Sequence, residues 1–155
     1  MTRYILGMIT LLVLTGCQAT STEQFPNLAI TEGELLSNKW AGLQRFPPMY
    51  PMEEAQAGIE GCATVEYVIS PDHDITDIKV VAATNASFAH QAKVNISRWK
   101  WSELPQDILQ NPVKTRTQFQ YCLETGDRHC SSPSLLANSE CSGSDVIYSV
   151  GHRMQ

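Results

Sequence analysis

The spacing of apolar and polar residues changes period several times along the chain, and each change predicts an element. From Gly61 the pattern alternates: Ala63, Val65, Tyr67 and Ile69 point one way, Cys62, Thr64, Glu66 and Val68 the other. That is a strand with one apolar face. Ser70-Pro71-Asp72-His73-Asp74 is a cluster of turn formers, read as solvated turn residues. A second strand is predicted over Ile75 to Ala83, with Ile78 and Val80 in the core, so the pair makes a hairpin. From Ser87 to Trp101 the period becomes helical, with Phe88, Ala92, Ile96 and Trp99 on one stripe. Pro105 and Pro112 bound a loop. Thr115 to Leu123 then alternates again, Thr117, Phe119 and Tyr121 against Gln118, Gln120 and Cys122.

The flanks are less regular. Thr31-Glu32-Gly33-Glu34 has capping-box spacing, and Leu36, Trp40 and Leu43 recur at i, i+4 and i+7, which predicts a short amphipathic helix within 31–46. Pro47-Pro48-Met49-Tyr50-Pro51 is extended, because residues before proline avoid helical backbone. Pro51 then suits the first position of a helix through Ala57, with Glu53 and Glu54 near its positive end and Gly58 at its close. The tail over 126–155 is rich in Ser and Gly, and only Asp145 to Val150 could be a further strand. The order helix, strand, strand, helix, strand predicts an α+β fold, a small three-stranded antiparallel sheet packed on one main helix.

The amino terminus belongs to export rather than to the fold. Met1-Thr2-Arg3 precedes an apolar run from Tyr4 to Leu14, and Leu14-Thr15-Gly16-Cys17 follows. A positive start, a short apolar stretch and small residues make a secretory signal over residues 1–16. The run is about half of the ~20 residues a membrane-spanning helix needs. Leu14-Thr15-Gly16-Cys17 resembles a bacterial lipobox, which implies a diacylglycerol on Cys17 and an acylated (palmitate-type) mature terminus; the alternative is an ordinary signal peptide with a chance cysteine. Gln18 stands where an Asp would resemble an inner-membrane retention signal. The expected location is therefore the outer membrane of a Gram-negative cell, facing the periplasm. Residues 17–30 read as a lipid-anchored, flexible tether, 47–125 as the folded domain and 126–155 as a tail.

Charge narrows the partners. The chain carries 11 Lys+Arg against 16 Asp+Glu, a net −5, and loss of Arg3 with the signal makes the mature chain more acidic still. This argues against nucleic acid and against an electrostatic grip on anionic lipid. About 139 mature residues suit one domain with a modest core. Besides Cys17 there are Cys62, Cys122, Cys130 and Cys141, an even number in an oxidising compartment, so two disulfides are expected. A zinc site is the alternative, but there is no Cys-x-x-Cys pair and the histidines are scattered. Ser142-Gly143-Ser144 lacks a nucleophile elbow, and no Gly-rich phosphate loop is present. Neither an enzyme nor a cofactor is expected.

Tyr50-Pro51, Ala55, Gly58-Ile59-Glu60-Gly61, the strand that follows, then Phe88-Ala89, Ala92, Ile96 and Arg98-Trp99-Lys100-Trp101, in this order and at this spacing, resemble the C-terminal domain of TonB, the energy transducer of outer-membrane transport. The resemblance runs from about Pro47 to Cys122. It implies a protein-binding domain whose last strand accepts an extended partner segment at the sheet edge. On this chain it places the contact at Pro47, Pro48, Met49 and Tyr50 and, on the last strand, at Gln118 and Gln120. The implied partner is an envelope protein, either an outer-membrane receptor or a component of the transport motor, with a homodimer left open. The transducer itself starts with a transmembrane helix and a long Pro-rich spacer; a tether of about ten residues reaches only ~35 Å, so direct transduction across the periplasm is not expected. A structural envelope lipoprotein, a scaffold without transport role, is the alternative.

The resemblance also implies a pairing of the cysteines. In the family's sheet the last strand runs antiparallel to the first, which sets Cys62 at the start of one beside Cys122 at the end of the other. The implied bridges are Cys62–Cys122 and Cys130–Cys141.

Overall fold

The structure, a computed structural model, describes residues 23–124, 130 and 139–152. The signal, Cys17 and the start of the tether lie outside the described residues. No helix among the described residues is long and apolar enough to cross a membrane.

The periodic part folds as its pattern dictates. Helix α1 covers Met52–Ala57, with Pro51 at its N-cap and Gly58 at its C-cap. Strand β1 (Gly61–Ile69) turns into β2 (Ile75–Ala83), followed by helix α2 (Ala86–Arg98) and strand β3 (Val113–Glu124). Asn85 caps α2 by accepting from the Phe88 amide at 2.9 Å, a contact that satisfies one of the orphan donors of the first turn. The helix stops at Arg98, and the Trp101 indole donates to the Ile96 carbonyl at 2.7 Å, closing the helix end against the sheet. Phe88, Ala92, Ile96 and Trp99 are all buried, opposite Ala63, Val65, Tyr67, Phe119 and Tyr121. Each large side chain so buried contributes roughly 1.5–3 kcal/mol.

The sheet differs from the expected one in strand number. Among the described residues four strands pair in the order β2-β1-β3-β4. β1 and β3 are antiparallel, as the resemblance implied, with Cys62 opposite Gln120. The added strand β4 (Val146–His152) comes from the tail and lies parallel to β3, Gln118 against Val146 through Glu124 against His152. It continues the single stretch of the tail with strand-like residues. Its connection from β3 is long enough for the reversal that a parallel pair needs.

That strand changes the second face of the sheet. Cys62, Thr64, Val68, Gln118, Gln120 and Cys122 alternate away from α2, yet all are buried. The segment before β4 covers part of this face: Cys62 is bonded to Cys141, Thr64 donates to the Ser142 carbonyl at 2.9 Å, and the Gln118 side-chain amide donates to Ser139 Oγ at 3.3 Å.

The disulfides are Cys62–Cys141 and Cys122–Cys130, not the implied Cys62–Cys122 and Cys130–Cys141. Register is the physical reason. Cys62 faces Gln120, so Cys122 is a diagonal neighbour two residues further along β3. Diagonal neighbours are about 7–8 Å apart, beyond the Cβ–Cβ reach of roughly 4 Å for a disulfide. Each strand cysteine instead holds one point of the tail.

The predicted helix within 31–46 is replaced by two short 3-10 turns, Glu34–Leu36 and Asn38–Trp40. Gly33 takes a left-handed conformation, φ 67°, and caps no helix with a side chain. Leu35, Trp40 and Leu43 are buried, while Leu36 is 57 % exposed, so the stripe is shifted at its first member. The Trp40 indole donates to buried Glu34 at 2.9 Å. The tether, expected to be free through Asn27, is tied down where it is described: the Gln24 and Phe25 amides donate to Asp77 of β2 at 2.8 and 2.7 Å. Ile30 then bridges to Lys114 of β3.

Candidate functional site

Extended backbone normally needs a strand partner, and the segment Phe46–Tyr50 finds side chains instead. The Phe46 carbonyl accepts from Asn95 Nδ2 at 2.7 Å and from the Trp99 indole at 3.0 Å, both from α2. Ser149 of β4 donates to the Pro48 carbonyl at 2.8 Å. Tyr50 donates to the Ile59 carbonyl at 2.6 Å, and its ring meets Phe88 and Tyr121 edge-on, centroids 5.8 Å apart in each case. Burial first, then the Glu60 and Glu54 carboxylates, push the Tyr50 hydroxyl well above the ordinary phenol range, so it remains a donor.

With its backbone fixed, the segment presents alternate side chains outward. Pro48 is buried and Pro47 exposed. Met49 is 72 % exposed, and beyond Tyr50 so are Met52 at 68 % and Ile59 at 44 %. Exposed large apolar side chains clustered in sequence around a rigid stretch mark a contact surface better than scattered ones do.

The structure separates the two halves of the expected contact. Gln118 and Gln120 are 3 % and 5 % exposed, under the tail rather than at an open edge. The edge of β3 that was expected to receive a partner is paired with β4. Gly151 of β4 sits so close to Leu123 and Tyr50 that a Cβ there would lie 2.8 Å from each. The strand thus fits this edge with no room for a side chain at that position.

Sequence reasoning missed the polar tie that carries the tail across the molecule. Arg45 donates to both carboxylate oxygens of Asp145 at 2.7 Å, and Thr117 donates to Asp145 Oδ2 at 2.8 Å. Tyr67 and Thr117 hydroxyls share a bond of 2.9 Å. Asp145 is 1 % exposed, and the Arg45 guanidinium also lies over Trp99. The hint available was an Asp directly before the one strand-like stretch of the tail. His73 was read as solvated; Asp72 and Asp74 are exposed, but the imidazole is folded inward and 5 % exposed. No group of three or more His, Cys, Asp or Glu among the described residues could hold a metal.

The family model for the Gram-negative bacterial TonB protein C-terminal matches residues 47–123. No curated protein matches the chain. Among solved structures it is similar to the solution NMR structure of the Pseudomonas aeruginosa TonB C-terminal domain, at 20 % identity and a TM-score of 0.43, over 56 % of this chain and 91 % of that one. The matched residues are those that build α1, β1, β2, α2 and β3, and through them the chain belongs to the TonB C-terminal domain family.

Proposed function

We propose that this chain is a non-enzymatic, protein-binding lipoprotein of the Gram-negative envelope, anchored through Cys17 in the outer membrane and facing the periplasm. Its docking surface is the rigid segment Pro47–Tyr50, and its role lies in TonB-type transport. One observation carries this reading: the backbone of Phe46–Tyr50 is pinned by α2 and β4 while Pro47 and Met49 face outward. A surface fixed before binding loses little entropy when a partner arrives. The partner is an envelope protein, either a receptor or a motor component.

A second reading, a structural scaffold with no transport role, is favoured by the filled edge of β3, which removes the family's strand-addition site. Capture from crosslinked cells with the mature protein separates the two. Receptors or motor subunits, lost with Met49→Asp, support the transport reading. Cell-wall or assembly proteins alone would replace it with the scaffold.

A further inference from the structure

A recess of about 530 Å³ lies between α1 and the first turns of α2, beside the docking segment. Met52, Glu53 and Glu54 line one wall, Ser87, His90 and Gln91 the other, and no Lys or Arg among the described residues lines it. Glu54 is 8 % exposed, and its Oε2 is buried with no hydrogen-bond partner. A buried carboxylate oxygen left without a donor costs the fold its full desolvation. Native proteins rarely carry that cost unless an ordered water, an ion or a ligand group relieves it. Exposed Glu53 adds a second carboxylate to the lining, and exposed Met52 offers a pliable apolar surface.

Two carboxylates beside the exposed Met52 side chain match a partner side chain with an aliphatic stem and a cationic head. We propose that this recess receives a Lys or Arg side chain of the protein partner, its head donating to the Glu54 carboxylate and its stem lying along Met52. The inference rests on the protein-binding reading above and adds the chemistry of the partner. Pro51 lines the recess and follows Tyr50 directly, so an extended partner segment lying on Met49 and Tyr50 reaches it with the next residues. The acidic balance of the chain favours the same class of partner.

The test is an NMR titration of the labelled full mature chain with N-acetyl-arginine methylamide and N-acetyl-lysine methylamide, using N-acetyl-norleucine methylamide as the neutral control. Saturable shifts confined to residues 52–56 and 87–91 with the cationic probes, absent with the control, are expected. Glu54→Gln should weaken that binding by at least about tenfold. Met52→Ala, a change at an exposed position that leaves the core intact, should weaken it several-fold. Lack of shifts at these residues with both cationic probes would overturn the proposal, as would equal binding of the control or unchanged affinity in Glu54→Gln. Probe binding without any captured envelope protein would keep the cation-binding recess and remove the protein-binding reading. Captured partners without probe binding would do the reverse.

Discussion

The two faces of the sheet are held by different physics. The face toward α2 is a continuous apolar layer, with Ala63, Val65, Phe119 and Tyr121 meeting Phe88, Ala92 and Ile96. Phe88 and Tyr121 stack with centroids 4.3 Å apart. The opposite face offers Thr64, Gln118 and Gln120, too polar to recruit a cover by hydrophobic burial alone. Its cover is attached instead, by two disulfides and by Asp145, which ties Arg45 to Thr117. Burial built the first face from local periodicity; covalent and ionic links built the second from residues far apart in sequence.

The largest effect should come from opening the apolar face. Phe88→Ala removes a fully buried ring and should cost about 3–5 kcal/mol in urea unfolding. The covalent links come next, and unequally. Cys62–Cys141 spans 79 residues and Cys122–Cys130 only 8. In the loop-entropy account, replacing the first pair by Ser should cost about 4.5 kcal/mol and the second about 2.5 kcal/mol, compared by denaturation of the two double variants. Equal losses would place their value in local packing rather than in chain restriction.

Asp145→Asn keeps the size but removes the charge that Arg45 and Thr117 address. Because Arg45 is partly exposed, with 23 % of its side chain accessible, the loss should be about 2 kcal/mol. The smallest effect near neutral pH is the tyrosine titration. Burial chiefly, with the Asp145 charge adding to it, raises the Tyr67 hydroxyl above its ordinary value of 10.0. Between the unfolded and the folded pKa the native state holds a proton the unfolded chain has lost, so stability is intact below pH 10 and falls as pH rises beyond it. Tyr67→Phe should flatten that alkaline slope, read from melting temperature against pH.

Legibility in the sequence follows the same division. The residues facing α2 announced themselves because 2-fold and 3.6-fold periods survive in a one-dimensional pattern, and β2 over Ile75–Ala83 was legible to its ends. The burial of Gln118 and Gln120 was not, because a polar face carries no sign of what will cover it. The disulfide pairing failed on a two-residue register offset between β1 and β3, a quantity that alternation alone leaves open. Leu36 misled because Gly33 breaks the turn on which the i, i+4 count depended. The docking segment was legible as extended from its prolines, but its supports, Asn95 and Ser149, lie 49 and 101 residues from their acceptors.

The tail fills the edge of β3, and the structure accounts for its hold there by Cys62–Cys141. The Gln118 amide donates to the Asp145 carbonyl at 2.8 Å, and alternation along β3 turns the amides of Gln120 and Cys122 the same way while Phe119 and Tyr121 face β1. Hydrogen exchange of β3, compared between the native protein and a Cys62→Ser/Cys141→Ser variant, reads the two edges separately. The account predicts that Gln118, Gln120 and Cys122 lose protection in the variant while Phe119 and Tyr121 keep theirs. Equal protection of both sets in the variant would mean that the disulfide is not what holds β4 on the edge.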